Sequence, residues 1–275
     1  MSNDQITTSA ALFFAGDRGS SIPLRFYDRA IETFNEFNLS PILFTAFGGG
    51  FLHDDCYVLA ERGDDISLWG EALRARAGEL VHALRMGEVE YLKFDSPRAG
   101  SSDRSDWRAD VGVGTFNFPM LYFGIDDGLI PDPRELLRRA CALAEGISEV
   151  RYGFAYKMPL SQHPSRYAMG GEAVTLESFK EEARARRAGT YRKSADRLWQ
   201  DEIGGKDRHL TGLFRGAYPV SILSEAHLQK ADFLPQRIGK LSKLDSSLWL
   251  WELSDAEFPV AEELLESQGV LVRQQ

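Results

Sequence analysis

Apolar positions along the chain change period several times, and each change marks an element. Residues 9–14 are a short apolar run closed by Gly16 and Gly19, a predicted strand by its length and its flanking turn residues. Tyr27, Ala30, Ile31, Phe34 and Phe37 then recur at spacings of three and four, placing one apolar stripe on a helix that starts after Pro23 and stops before Ser40-Pro41. Residues 42–47, rich in aromatic and β-branched side chains, run into Gly48-Gly49-Gly50 and read as a buried strand, with residues 56–60 as its hairpin mate. Trp69, Ala72, Leu73, Arg76, Leu80 and Ala83 share a helical face between Ser67 as N-cap and Gly87 just past the end, and residues 89–94 form a further strand.

A polar stretch follows, residues 95–108, with a Pro, a Gly and four Ser, which reads as a linker. Beyond it, residues 110–113 and 120–125 predict strands around a turn at 114–119. Asp132-Pro133-Arg134-Glu135 opens a helix with an N-cap acid, Pro at N1 and Glu at N3, and Leu136, Leu137, Ala140, Cys141 and Ala144 supply its apolar face up to Gly146. Tyr152, Phe154, Tyr156 and Met158 alternate with Arg151, Gly153, Ala155 and Lys157, the period of a strand with one covered face. After a stretch over about residues 160–244 with helix signals and scattered glycines, the series resumes with a strand at 248–253. A single turn from the Ser254-Asp-Ala-Glu257 box leads to a helix starting at Pro259 and closed by Gly269, and residues 270–272 form a last strand. Trp249 and Trp251 fall on one side of the 248–253 strand and Leu248 and Leu250 on the other, so it is apolar on both faces and buried.

Strand, helix, strand, strand, helix, strand is the βαββαβ order of a ferredoxin-like sandwich. The expected fold is α+β, two ferredoxin-like units in tandem: residues 1–95, a linker at 96–108, and residues 109–275 with a long helical insertion at about 160–244. One large mixed sheet with helices on both faces is the alternative.

Composition narrows the function. The chain has 275 residues, 43% apolar and 27% charged, with 32 Lys and Arg against 41 Asp and Glu, a net charge of −9. A chain of this size builds a core without disulfides or metal. No apolar run is long enough to span a bilayer and no basic segment precedes the first apolar stretch, so the expected location is the cytoplasm without membrane attachment. Cys56 and Cys141 stand alone, without the spacing of a thiolate zinc site. The acidic balance argues against nucleic acid and suits a basic protein partner. The charge is also uneven. Residues 176–216 hold ten Lys and Arg against seven Asp and Glu, a local +3, and the remainder carries −12. The basic stretch reads as a solvated helical face with local ion pairs.

Hydrolase elbow, P-loop, zinc-protease, EF-hand and dinucleotide-binding patterns do not occur, and no cofactor or metal is expected. His53-Asp54-Asp55-Cys56 is the densest polar cluster. Consecutive residues of an extended segment point to opposite sides, so these four do not converge on a metal, and they read as a hairpin turn. Asp126-Asp127-Gly128 follows a strand end, where acids hold cations or act as bases and where Asp-Gly also makes turns.

Tyr218-Pro219, Ile222-Leu223-Ser224, His227-Leu228, Gly239-Lys-Leu241, Leu248-Trp249-Leu-Trp251 and the tail ending Gly269-Val-Leu resemble the C-terminal part of bacterial proteins encoded near secreted toxins. Through residues 216–272 the chain is similar to toxin-immunity proteins of the type VI and polymorphic-toxin systems. The resemblance implies a cytoplasmic, non-catalytic inhibitor that binds one cognate toxin, and it transfers no catalytic residue. Acids at predicted loop and strand ends, Asp54, Asp55, Asp64, Asp65, Asp126 and Asp127, are the expected contacts with a basic toxin. The alternative is a hydrolase or transferase with its site in a cleft between the two units, drawing on His163, Arg166 and Tyr167 together with Asp126 and Asp127.

Overall fold

The computed structural model describes residues 5–15, 21–39, 43–48, 51–54, 69–98, 107–114, 119–162, 164–168, 212–232 and 234–271. In chain order the elements are β1 (Ile6–Phe14), α1 (Ser21–Glu36), β2 (Leu43–Gly48), β3 (Phe51–Asp54), α2 (Trp69–Met86), β4 (Tyr91–Pro97), β5 (Trp107–Gly114), β6 (Met120–Asp126), α3 (Pro133–Ala144) and β7 (Val150–Pro159). They continue with α4 (Pro164–Ala168), β8 (Val220–Ser224), α5 (Glu225–Lys230), α6 (Leu234–Arg237), β9 (Lys240–Lys243), β10 (Leu248–Glu252) and α7 (Phe258–Ser267).

The ten strands form one sheet in the order β3-β2-β4-β5-β6-β1-β7-β8-β10-β9, and every neighbouring pair is antiparallel. The protein is therefore α+β, built on a single open antiparallel sheet.

Two cores lie on opposite faces. Strand period 2 sends Ala10, Leu12 and Phe14 to one side and Ala11 and Phe13 to the other. The first side packs under Phe26, Ala30 and Phe34 of α1, Leu80 and Leu84 of α2, and Leu136, Leu137 and Ala140 of α3. The second is aromatic. Phe154 stacks on Tyr218 at 4.1 Å between ring centroids, Phe13 on Tyr152 at 5.7 Å, and Phe214 meets Trp251 edge-on at 5.9 Å. Leu234, Ala261 and Leu265 of α6 and α7 close that side.

Local signals place their elements as expected. Asp132 accepts the Arg134 N–H at 2.9 Å ahead of Pro133, the predicted N-cap of α3. Gly87 and Gly146 end α2 and α3 with φ of 72° and 77°. The Ser254–Glu257 capping box makes one turn before α7. Trp251 is fully buried on the aromatic face and Leu248 and Leu250 on the other, as the pattern of β10 requires.

The strand pairings differ from a tandem of ferredoxin-like units. β1, from the expected first unit, pairs with β6 and β7, both of the expected second unit, and not with strands of residues 1–95. The strands flanking the expected linker pair with each other, Pro97 opposite Trp107. The described hairpin mate of β2 is β3, which begins at Phe51 directly after Gly48-Gly49-Gly50 in sequence, so His53 and Asp54 are strand residues; residues 56–60 lie outside those described. Residues 160–244 contain β8 and β9, which extend the sheet. Element type follows from local period, whereas partner choice depends on which strands have two apolar faces to bury. β1, buried at eight of its nine positions, takes the middle.

Gly153 shows how tightly the central strands approach. It pairs with Leu12 on one side and Ile222 on the other, and a Cβ at this position would lie 2.5 Å from Leu12 Cδ2. Replacing Gly153 with Val is expected to destabilise the fold by about 1–3 kcal/mol through overpacking, read by urea unfolding as a lower midpoint at unchanged slope.

Candidate functional site

Antiparallel register decides which chain ends meet. The C-terminal ends of β3, β4, β6, β7 and β10 and the N-terminal ends of β1, β2, β5, β8 and β9 share one end of the sheet. Asp54, Asp126, Asp127, Lys157 and Glu252 all lie at or beside that end.

A cleft of about 800 Å³ opens there, where β7 finishes and the loops before α3, β8 and α7 converge. Arg134, Tyr156, Lys157, Tyr167, Tyr218 and Phe258 are among its walls. Tyr156 leaves β7 on the aromatic face and its hydroxyl donates to the Pro164 carbonyl at 2.6 Å, fastening the start of α4 to the sheet. Tyr167, one turn along α4, shares a hydroxyl hydrogen bond with Tyr218 at 3.1 Å, and the Arg215 guanidinium lies over its ring at 5.2 Å. Burial holds the Tyr156 and Tyr218 hydroxyls well above the ordinary tyrosine range, the neighbouring Tyr167 adding to the effect. They remain neutral donors and acceptors at any physiological pH.

The charged groups around the cleft are paired. Arg134 bridges Glu252 at 3.2 Å and donates to the Leu253 carbonyl at 3.1 Å, joining α3 to β10. Lys157 meets Asp127 at 2.7 Å, and Thr8 donates to the same carboxylate at 3.0 Å. Asp126 holds Arg98 at 2.8 Å and accepts the Gly128 N–H at 3.0 Å, so the Asp-Gly turn and the ion pair use one side chain. Deeper in the aromatic face, His227 Nδ1 accepts the Ser224 N–H at 3.3 Å and lies 2.9 Å from the Ser224 hydroxyl, closing the cap of α5, while its ring stacks on Tyr152 at 4.8 Å. Accepting at Nδ1 leaves the proton on Nε2. Cys141, pushed up to about 12 chiefly by burial, is a packing thiol. Among the described residues no set of three His, Cys, Asp or Glu side chains is placed to hold a metal. Nor is any helix among them long and apolar enough to cross a membrane.

Of the acids expected as contacts, Asp126 and Asp127 stand together at the end of β6, and Asp54 ends β3 opposite Thr45. Four strand spacings, about 19 Å, separate β3 from β6. Asp55, Asp64 and Asp65 lie outside the described residues, as does His163. Of the alternative active-site set, Tyr167 lines the cleft and Arg166 lies in α4. Arg134 and Tyr218 were not expected here, because what brings them to the cleft is the pairing of β8 and β10. For Tyr156 the alternation of β7 was the available signal, since it places this residue on the covered face.

No known protein family and no curated protein matches the chain. Among solved structures, it is similar to a T6SS protein of Pseudomonas aeruginosa, at 10% sequence identity and a TM-score of 0.44, over 97% of this chain and 73% of that one.

The tyrosine contacts make a graded expectation. Removing only the hydroxyl in Tyr218→Phe costs about 1 kcal/mol, whereas Tyr218→Ala, which also loses the stack on Phe154, costs about 3–5 kcal/mol. Chemical denaturation of the two variants checks both values.

Proposed function

We propose that this chain is a non-catalytic immunity protein that neutralises a cognate bacterial toxin by binding it through the acidic end of the sheet. The observation that carries the reading is the placement of Asp54, Asp126, Asp127 and Glu252 along one end of the sheet, from β3 to β10, in a chain of net charge −9. An inhibitor of this kind needs a stiff scaffold and a complementary charged surface, and steering by such a surface speeds encounter with a basic partner. Arg98 and Lys157 fix Asp126 and Asp127 in place, so a partner's Lys or Arg meets carboxylates whose positions are already set. Asp55, Asp64 and Asp65, outside the described residues, are further contacts in this reading. The resemblance carried by residues 216–272 points to the same class of protein, and its buried members, Ile222, Leu223, His227 and Trp251 among them, serve the scaffold.

The cleft beside Tyr167 is the observation that favours a second reading, a hydrolase or transferase acting there. Dose separates the two. A binding inhibitor protects at a one-to-one ratio with the toxin and elutes with it as a complex; an enzyme protects at substoichiometric amounts.

Co-expression with a cognate toxin is expected to restore growth to cells that the toxin alone arrests. Charge reversal of Asp64, Asp65, Asp126 and Asp127 to Lys is expected to lower toxin affinity at least tenfold, with weaker salt dependence of the association rate. Unchanged affinity removes these acids from the interface, and failure to restore growth overturns the immunity reading.

A further inference from the structure

On the aromatic face of the sheet, towards β2, two buried carboxylates lie beside a partly exposed lysine. Asp95 of β4 and Asp110 of β5 are directly opposite in register, and Lys93 sits two residues before Asp95 on the same face. Like charges directly opposite on neighbouring strands repel. The single cation is unequally shared, with Lys93 Nζ 2.8 Å from Asp95 Oδ1 and 3.7 Å from Asp110 Oδ2. Asp110 is 1% exposed, and its Oδ1 has no hydrogen-bond partner among the described residues.

Among the described residues, Lys93 is the cation that forms an ion pair with Asp110. β4 adds Tyr91, β6 adds Tyr122, β7 adds Tyr156, and β1 adds only Ser9, whose hydroxyl is 3.4 Å from that of Tyr122. α4, packed on β1 and β6, carries Arg166 and Tyr167. Arg108 lies two residues before Asp110 on β5, and Arg98 is committed to Asp126 at 2.8 Å. Among the described residues, two carboxylates share one ammonium, and a buried carboxylate only weakly paired is relieved by taking up a proton.

We propose that Asp110 is held as a neutral carboxylic acid in the folded sheet, making the Lys93–Asp95–Asp110 cluster a pH-sensitive lock on the β4–β5 pair. Burial, partly offset by Lys93 and reinforced by Asp95, raises the Asp110 carboxyl to about 7. A folded-state value above the unfolded one, 3.8, means that the folded chain binds the extra proton between those limits. Stability from this group is full below about pH 4, declines as pH rises towards 7, and is lost above it. The Lys93 side chain, 23% exposed, gives the cluster an edge open to solvent for proton exchange.

The test is thermal unfolding of the full chain from pH 5 to pH 8.5 for the wild type and Asp110→Asn, which keeps shape and cannot ionise. The wild-type Tm is expected to fall by on the order of 5 °C more than that of D110N across this range, with D110N the more stable at pH 8. Infrared spectra give a second readout that needs no variant to fold: a protonated-carboxyl carbonyl band at pH 5.5 that disappears as pH passes about 7. Parallel Tm profiles for the two proteins, or the absence of such a band, would overturn the proposal.

Discussion

Strand β1 is hydrogen-bonded along both edges, to β6 on one side and β7 on the other, and every other element is placed by reference to it. A strand in that position has no face left for water. Its residues must be apolar or small on both sides, and the polar ones need partners within the sheet. Ile6–Phe14 meets the apolar part with Ala10, Leu12 and Phe14 on one face and Ala11 and Phe13 on the other, while the buried Thr7 hydroxyl has no hydrogen-bond partner among the described residues. Thr8 reaches Asp127, and Ser9 reaches Tyr122. Because β1 comes first in the chain yet lies in the middle of the sheet, strands from both halves must close around it, which gives the fold many contacts distant in sequence.

The two faces answer different needs. Under α1, α2 and α3 the side chains are aliphatic and phenyl groups that fill space without polar demands. The opposite face is built from Tyr, His and Trp, whose rings pack and several of whose polar atoms find backbone or hydroxyl partners. Trp251 Nε1 donates to the Ile238 carbonyl at 3.1 Å, and the Arg215 N–H donates to the Tyr152 hydroxyl at 3.0 Å. Such a layer is more selective than an aliphatic one, since a misplaced ring loses a hydrogen bond as well as a contact.

At the sheet end where the acids collect, ion pairs do two things together. Asp126 with Arg98 and Asp127 with Lys157 tie the end of β6 to the end of β4 and to β7, each two strands away, and they hold carboxylates at a rim a partner can approach. Exposed pairs of this kind add little to stability, and their value lies in fixed direction. The Lys93–Asp95–Asp110 cluster is a different case. Its two carboxylates are buried and share one ammonium among the described residues, and the fold tolerates them through protonation more than through pairing.

Several features were written in local sequence. The Asp132-Pro133 cap, the glycines after α2 and α3, the Ser254–Glu257 turn and the two-sided apolarity of β10 each depend on residues within one turn or one strand, where spacing alone carries the physics. The candidate site was half legible. Asp126 and Asp127 were recognisable as strand-end acids and Tyr167 as a candidate, while Tyr218 and Arg134 became neighbours only through β8 and β10. Nothing local marked Asp95 and Asp110 as a pair, because their meeting is set by the register of β4 on β5. By itself the sequence determined element type, caps and net charge. The tertiary structure decided strand partners, and with them one sheet in place of two sandwiches, since pairing is chosen by which apolar faces can be buried together across distances that no local period records.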